Sequence, residues 1–121
     1  MSGSADASAL ALARAYHDAW RRREYEAAWQ FLGDDLVVDV PINTYDSKAE
    51  FAEAARRTRE MAARVTPIAE FGRDGEAVLI YDMALPVGDL RIAEYFGVSD
   101  GRITRIIHIH DTAALRSAGA T

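Results

Sequence analysis

Two histidines one residue apart, His108 and His110, close a run of β-branched residues, and a lone carboxylate, Glu94, sits in the apolar run before it. An imidazole titrates near neutrality, and a carboxylate among apolar groups shifts toward neutrality, so this set could move protons in general acid/base chemistry. His108 is the acid/base candidate. Glu94, its pKa expected to rise on desolvation, would serve as a hydrogen-bond donor or general acid. His110, beside Asp111, belongs at the rim or in a salt bridge. The structural alternatives are a buried ion pair for Glu94 and, for His108, a core histidine satisfied by Glu94 or Asp82. Residues two apart on a strand point the same way, so His108 and His110 could also chelate zinc or iron with Glu94 or Asp82 as a third ligand.

Strand parity decides whether these groups meet. Leu90, Ile92, Glu94, Phe96 and Val98 alternate onto one face, and Asp100-Gly101 then forms a hairpin turn, since glycine tolerates the positive φ required there. Beyond the turn, alternation puts Ile103, Ile107 and Ile109 on one face and Ile106, His108 and His110 on the other. Upstream, Ile68 to Arg73 and Glu76 to Leu85 form a second hairpin around Asp74-Gly75. Asp82, with Val78 and Ile80, is expected on the face toward the helices, where it could orient a histidine or form a merely structural pair. Both faces of this strand are largely apolar, and the helices can cover only one. A homodimer through the outer sheet face, joined by Tyr95, Ile107 and Ile109, is therefore expected.

The first part of the chain reads as helix. Ala7 to Arg22 is alanine-rich, with Leu12, Tyr16 and Trp20 as an apolar stripe; the Tyr16 hydroxyl could stabilise negative charge on a substrate oxygen. A second short helix carries Tyr25, Ala28, Trp29 and Leu32, with Gly33 as its terminator. Leu36 to Val40 reads as a strand stopped by Pro41, and Asp39 or Asn43 could hold a water at a cavity mouth. Ser47 to Glu50 is a capping box opening a helix to about Arg64, with Phe51, Ala55 and Thr58 on one face and mixed charge on its exposed side. Trp20, Phe51 and Phe96 join Asp39 and His110 as candidates for a substrate wall; residues such as Trp20, Trp29 and Phe51 are more often core than ligand wall.

With 121 residues, half of them hydrophobic, the chain is expected to form a single domain over 1–121, with 1–7 and 113–121 as flexible ends. A net charge of -5 argues against nucleic acid as a partner. Arg21-Arg22-Arg23 suits the negative end of a helix dipole. The absence of cysteine excludes disulfides and thiolate chemistry. Met1 to Ser8 lacks a signal-peptide pattern and no apolar run nears a bilayer-spanning length, so a cytoplasmic protein without a membrane partner is expected.

The order helix, helix, strand, helix, four strands, together with Asp34 to Pro41, Glu94-Tyr95-Phe96 and Asp100-Gly101-Arg102-Ile103, resembles the nuclear transport factor two-like superfamily, in its SnoaL-like branch. The resemblance implies an α+β fold: a cone-shaped α+β barrel with three N-terminal helices packed on a strongly curved, mainly antiparallel sheet. It also implies a deep metal-free pocket, no cofactor and frequent homodimers. Such proteins include isomerases, cyclases, epoxide hydrolases, dehydratases and binders, so fold alone does not select a reaction. Compared with ketosteroid isomerase, Tyr16 falls at the oxyanion-hole tyrosine and Glu94 at a protonated aspartate, while Val40 replaces the base and Asp39 stands one residue early. Compared with limonene epoxide hydrolase, Asp39 matches the water-holding asparagine and Asp82 one aspartate, but Ile80 replaces the arginine and His108 the second aspartate. Scytalone dehydratase is similar in using pocket histidines, tyrosines and an aspartate. The expected function is cofactor-independent isomerisation, aldol cyclisation or dehydration of a small hydrophobic carbonyl compound of polyketide or terpenoid type. In it His108 moves the proton, Glu94 and Tyr16 polarise the carbonyl, and Asp82 orients the imidazole. The alternative is a non-catalytic ligand-binding or dimeric accessory protein.

Overall fold

The computed structural model describes residues 2–41 and 44–113, with side chains described for 9–41 and 45–113. Helix α1 (Ser2–Arg21) and helix α2 (Tyr25–Trp29) lead into β1 (Leu32–Asp39) and the two-residue β2 (Thr44–Tyr45). Helix α3 (Lys48–Met61) follows, then β3 (Arg64–Arg73), β4 (Glu76–Leu85), β5 (Gly88–Ser99) and β6 (Arg102–Ile109). The fold is α+β. Its mixed sheet has the order β2-β1-β6-β5-β4-β3, antiparallel throughout except where β1 runs parallel to β6.

Both Asp-Gly hairpins form as the sequence predicts. Asp74 and Gly75 have φ of 35° and 81°, Asp100 and Gly101 of 53° and 72°, the positive values that a two-residue hairpin turn demands. Between β4 and β5 the chain turns tightly over Pro86-Val87, with Leu85 opposite Gly88. Pro67 lies in β3, an edge strand, where its missing N–H costs no ladder bond; the register slips between Pro67 and Ala69.

The helices cover one face only. On α1, Ala13, Tyr16, His17 and Trp20 are buried, and the Trp20 indole donates to Ala55 O of α3 at 2.8 Å. Ser47 caps α3 by accepting from Glu50 N, and Glu50 reaches back to Asp46 N. One residue on the side of α3 expected to be exposed is buried: Arg59 donates to Arg21 O at 2.8 Å and to Ala62 O at 3.0 Å, satisfying carbonyls at the ends of two helices.

Three expectations are corrected. Gly33 does not end a helix; it lies in β1 where that strand crosses β6, and a Cβ there would sit 3.4 Å from Ile103 O. Ile103 does not share a face with Ile107 and Ile109. The β5–β6 register slips by one residue at Thr104, a bulge that turns Ile103 inward beside Ile106, both fully buried. Asp82 faces away from the helices: Ala77, Leu79, Tyr81 and Met83 are the buried set of β4, and Val78, Ile80 and Asp82 lie on the outer face.

Candidate active site

Glu94 is the charged group that the sheet carries into its interior. It is 3% exposed, in line with buried Leu90, Ile92 and Phe96 on β5. A carboxylate in such a place costs several kcal/mol unless its oxygens are hydrogen-bonded, on the order of 2–7 kcal/mol for even a neutral polar group. Both oxygens are held. The Tyr81 hydroxyl donates to Oε1 at 2.7 Å, and Oε2 lies 2.9 Å from His108 Nε2. The strand register explains the convergence, since Glu94 pairs directly with His108 across β5–β6 and lies diagonal to Tyr81 on β4.

The electrostatics reverse the expectation for Glu94. Burial pushes its pKa up, but attraction to His108 and the His108 hydrogen bond, with smaller contributions from His17 and Tyr81, more than offset this and leave it below the ordinary carboxylate value. Glu94 is therefore a carboxylate that accepts hydrogen bonds, not a neutral acid that donates one. Tyr16 and Tyr81 are held well above the usual phenol range by burial and by the Glu94 charge, so both keep their protons as donors.

A cavity of about 310 Å³ opens beside this cluster, between the sheet, α1 and α3. Of the candidates from sequence, Tyr16, Trp20, Phe51, Glu94, His108 and His110 lie on its wall. Phe51 meets the His108 ring edge-on at 6.3 Å. His110 Nδ1 lies 3.1 Å from Asp111 O. Three candidates are not brought there. Phe96 is fully buried beneath Tyr16, its ring 5.8 Å away in an edge contact, and is core. Asp39 is exposed on the outer face, because Leu36 and Val38 take the inward positions of β1. Asp82 forms a two-pronged ion pair with Arg91 at 2.7 and 2.9 Å on the outer face, so it cannot orient His108. Asn43 lies outside the described residues.

These placements sort the family comparisons residue by residue. Val40, at the position of the ketosteroid isomerase base, does line the cavity, but it is an aliphatic residue. The outward Asp82 and Ile80 leave no epoxide-hydrolase relay. Among the described residues, no group of three or more His, Cys, Asp or Glu side chains could hold a metal ion. No described helix is long and apolar enough to cross a membrane.

Two residues that matter here were not singled out from sequence. Tyr81 is one. His17 is the other: it is buried, its Nε2 has no hydrogen-bond partner among the described residues, and its ring lies 4.4 Å from that of Tyr81 and 5.3 Å from that of Trp20. Its helical spacing from Ala13 and Trp20, both buried, is the signal that marks it as inward on α1.

No protein-family model matches the sequence, and no curated protein matches it. Solved structures do. A Kribbella flavida protein described without an activity is 29% identical, with a TM-score of 0.84 over 91% of this chain and 92% of that one. An NTF2-like protein of unknown function from Cytophaga hutchinsonii is 15% identical, with a TM-score of 0.75 over 87% and 91%. A provisionally named ketosteroid isomerase from Kribbella flavida is 19% identical, with a TM-score of 0.79 over 89% and 81%.

Burial has a consequence for His17 that can be measured. It lowers the His17 pKa from 6.5 to about 4, outweighing the Glu94 charge, which acts in the opposite direction. Below pH 6.5 the unfolded chain takes up a proton that the folded protein refuses until about pH 4, so stability falls with pH across that window. The full effect is about 3 kcal/mol at roughly 1.4 kcal/mol per unit. In urea unfolding at stepped pH, His17→Phe should lose this part of the slope relative to the parent; identical slopes would show that His17 is not held neutral.

Proposed function

We propose that this chain, whose fold is that of NTF2-like proteins, is a cofactor-independent acid/base enzyme acting on a small hydrophobic carbonyl compound. The observation that carries this reading is the Glu94–His108 pair at 2.9 Å on the wall of a cavity large enough for a ligand. Glu94 fixes the imidazole through Nε2, which leaves Nδ1 to take a proton from a carbon next to the substrate carbonyl. The imidazolium so formed is stabilised by the carboxylate behind it. Tyr16, kept protonated, donates to the carbonyl oxygen as negative charge develops there. His108 then returns the proton at another atom of the enolate system, completing an isomerisation, or the enolate carbon attacks a second carbonyl and His108 gives its proton to the new alkoxide, completing an aldol cyclisation. Glu94 thus takes the orienting role that the sequence reading had placed on Asp82.

The walls suit an apolar body. Trp20, Phe51, Met83, Leu90 and Ile92 offer no hydrogen bonds to the cavity beyond the indole, which is already committed to Ala55. A sheet curved into a cone around this cavity, with α1 and α3 packed over it, belongs to the same reading. A binder without chemistry would be expected to fill its interior with the polar network, whereas here the network lies on an open wall.

The outer face supports a second copy of the chain as partner. Phe71, Val78, Tyr95 and Ile107 form one cross-strand row, and Ala69, Ile80, Ala93 and Ile109 the next; Phe71 and Ile109 are 60% and 64% exposed. The Asp82–Arg91 pair borders this band on one side, and the Arg73–Glu76 pair, with Tyr95 bonded to Glu76, borders it on the other. A two-fold packing of these faces would bury the band.

Two measurements test these readings. Incubated in D2O with a panel of cyclic ketones and β-diketones, the protein should exchange protons next to the carbonyl, and His108→Ala should slow this at least ~100-fold with the fold unchanged. Equal exchange by both proteins would remove His108 from the mechanism. Light scattering should give twice the chain mass for the protein and a single chain mass for Ile109→Lys; a monomeric parent would refute the dimer.

A further inference from the structure

Resting on the cavity reading above, we infer that the molecule it takes is an amphiphilic anion, with its carbonyl end at His108 and a carboxylate held at the mouth by Arg57. The cavity has opposite electrical character at its two ends. Glu94 at the deep end is already satisfied by Tyr81 and His108, and the stretch between is lined by Phe51, Ala55, Met83, Leu90 and Ile92. Arg57 is the cation at the other end. It sits on the stripe of α3 formed with Ala54 and Met61, one helical position out from the deeper Phe51, Ala55 and Thr58, and its side chain is 62% exposed.

Among the described residues the guanidinium makes a single ion pair, to Glu53, that spans 3.5 Å, longer than a charge-assisted hydrogen bond. Glu53 is meanwhile gripped by Arg56 through Nε at 3.3 Å and a terminal nitrogen at 2.5 Å, which holds its pKa below the ordinary value. Among the described residues no group accepts a hydrogen bond from Arg57, whereas Arg14, Arg21, Arg56, Arg59, Arg73 and Arg91 each donate at least one. An arginine fork with free donors at the rim of an apolar cavity matches a carboxylate in both shape and charge. The chain as a whole is acidic, at -5, so its general field repels anions, and local capture at the mouth is what would admit one.

The test uses two fluorescent probes with the same aromatic skeleton, anilinonaphthalene sulfonate and the neutral phenylnaphthylamine. Both should bind the protein, and both should be released by Ala54→Trp, which fills the cavity. Arg57→Gln should weaken the sulfonate roughly fivefold to tenfold at low salt and leave the neutral dye within about twofold. Sulfonate affinity unchanged by Arg57→Gln, equal weakening of both dyes, or binding that survives Ala54→Trp would each overturn the inference. Were neither dye to bind the parent protein, the cavity itself would fail as a ligand site, and the proposed function with it. Binding of both dyes in the cavity, with the sulfonate showing no Arg57 dependence, would overturn the anionic ligand alone.

Discussion

The structure turns on one carboxylate kept charged inside an apolar layer. Glu94 occupies a position where Leu90, Ile92 and Phe96 mark the interior, and it is held there by a phenol hydroxyl and an imidazole, one on each oxygen. Removing either partner would leave a buried acceptor unpaired, a penalty of about 1–3 kcal/mol or more. Three adjacent strands are thereby tied by side chains as well as by their ladders: Tyr81 on β4, Glu94 on β5 and His108 on β6. The same bonds that make the carboxylate tolerable also fix the ring that faces the cavity, so stability and the proposed chemistry share one set of contacts.

Alignment of that set depends on where the strands lose register. An extra residue at Thr104 in β6 turns both Ile103 and Ile106 inward, and plain alternation from Ile106 then brings His108 opposite Glu94. Without the bulge, an inward Ile103 would send His108 to the outer face. β1 crosses the same region of β6 irregularly, and at its end Asp39 faces outward while Val40 and Pro41 reach the cavity wall. Single-residue steps in the backbone thus decide which of several acidic groups can take part.

Much of this was legible in the residues. The two Asp-Gly turns, the capping box at Ser47, the helical stripe through Tyr16 and Trp20 and the inward face of β5 follow from local rules that tertiary packing did not override. The bulge at Thr104 was not legible, because nothing local distinguishes a residue that pairs from one that is skipped. The error over Asp82 was of another kind. A tight turn with an even number of residues pairs the even positions of β5 with the odd positions of β4, so placing Glu94 inward already required Leu79 and Tyr81 inward and Asp82 outward. The direction of the Glu94 pKa was beyond the sequence for a physical reason: burial is readable from the apolar neighbours, but the groups that together outweigh it, His108, His17 and Tyr81, come from other elements.

The most direct test is the charge on Glu94 itself. Carbon-detected NMR of the Glu94 side-chain carboxyl, assigned by its loss in Glu94→Gln, would follow its ionisation with pH. The account predicts an ionised carboxylate throughout the neutral range, titrating below its ordinary value of 4.5. A carboxyl that still carries its proton at neutral pH would contradict it, since Glu94 would then donate to His108 instead of accepting from it.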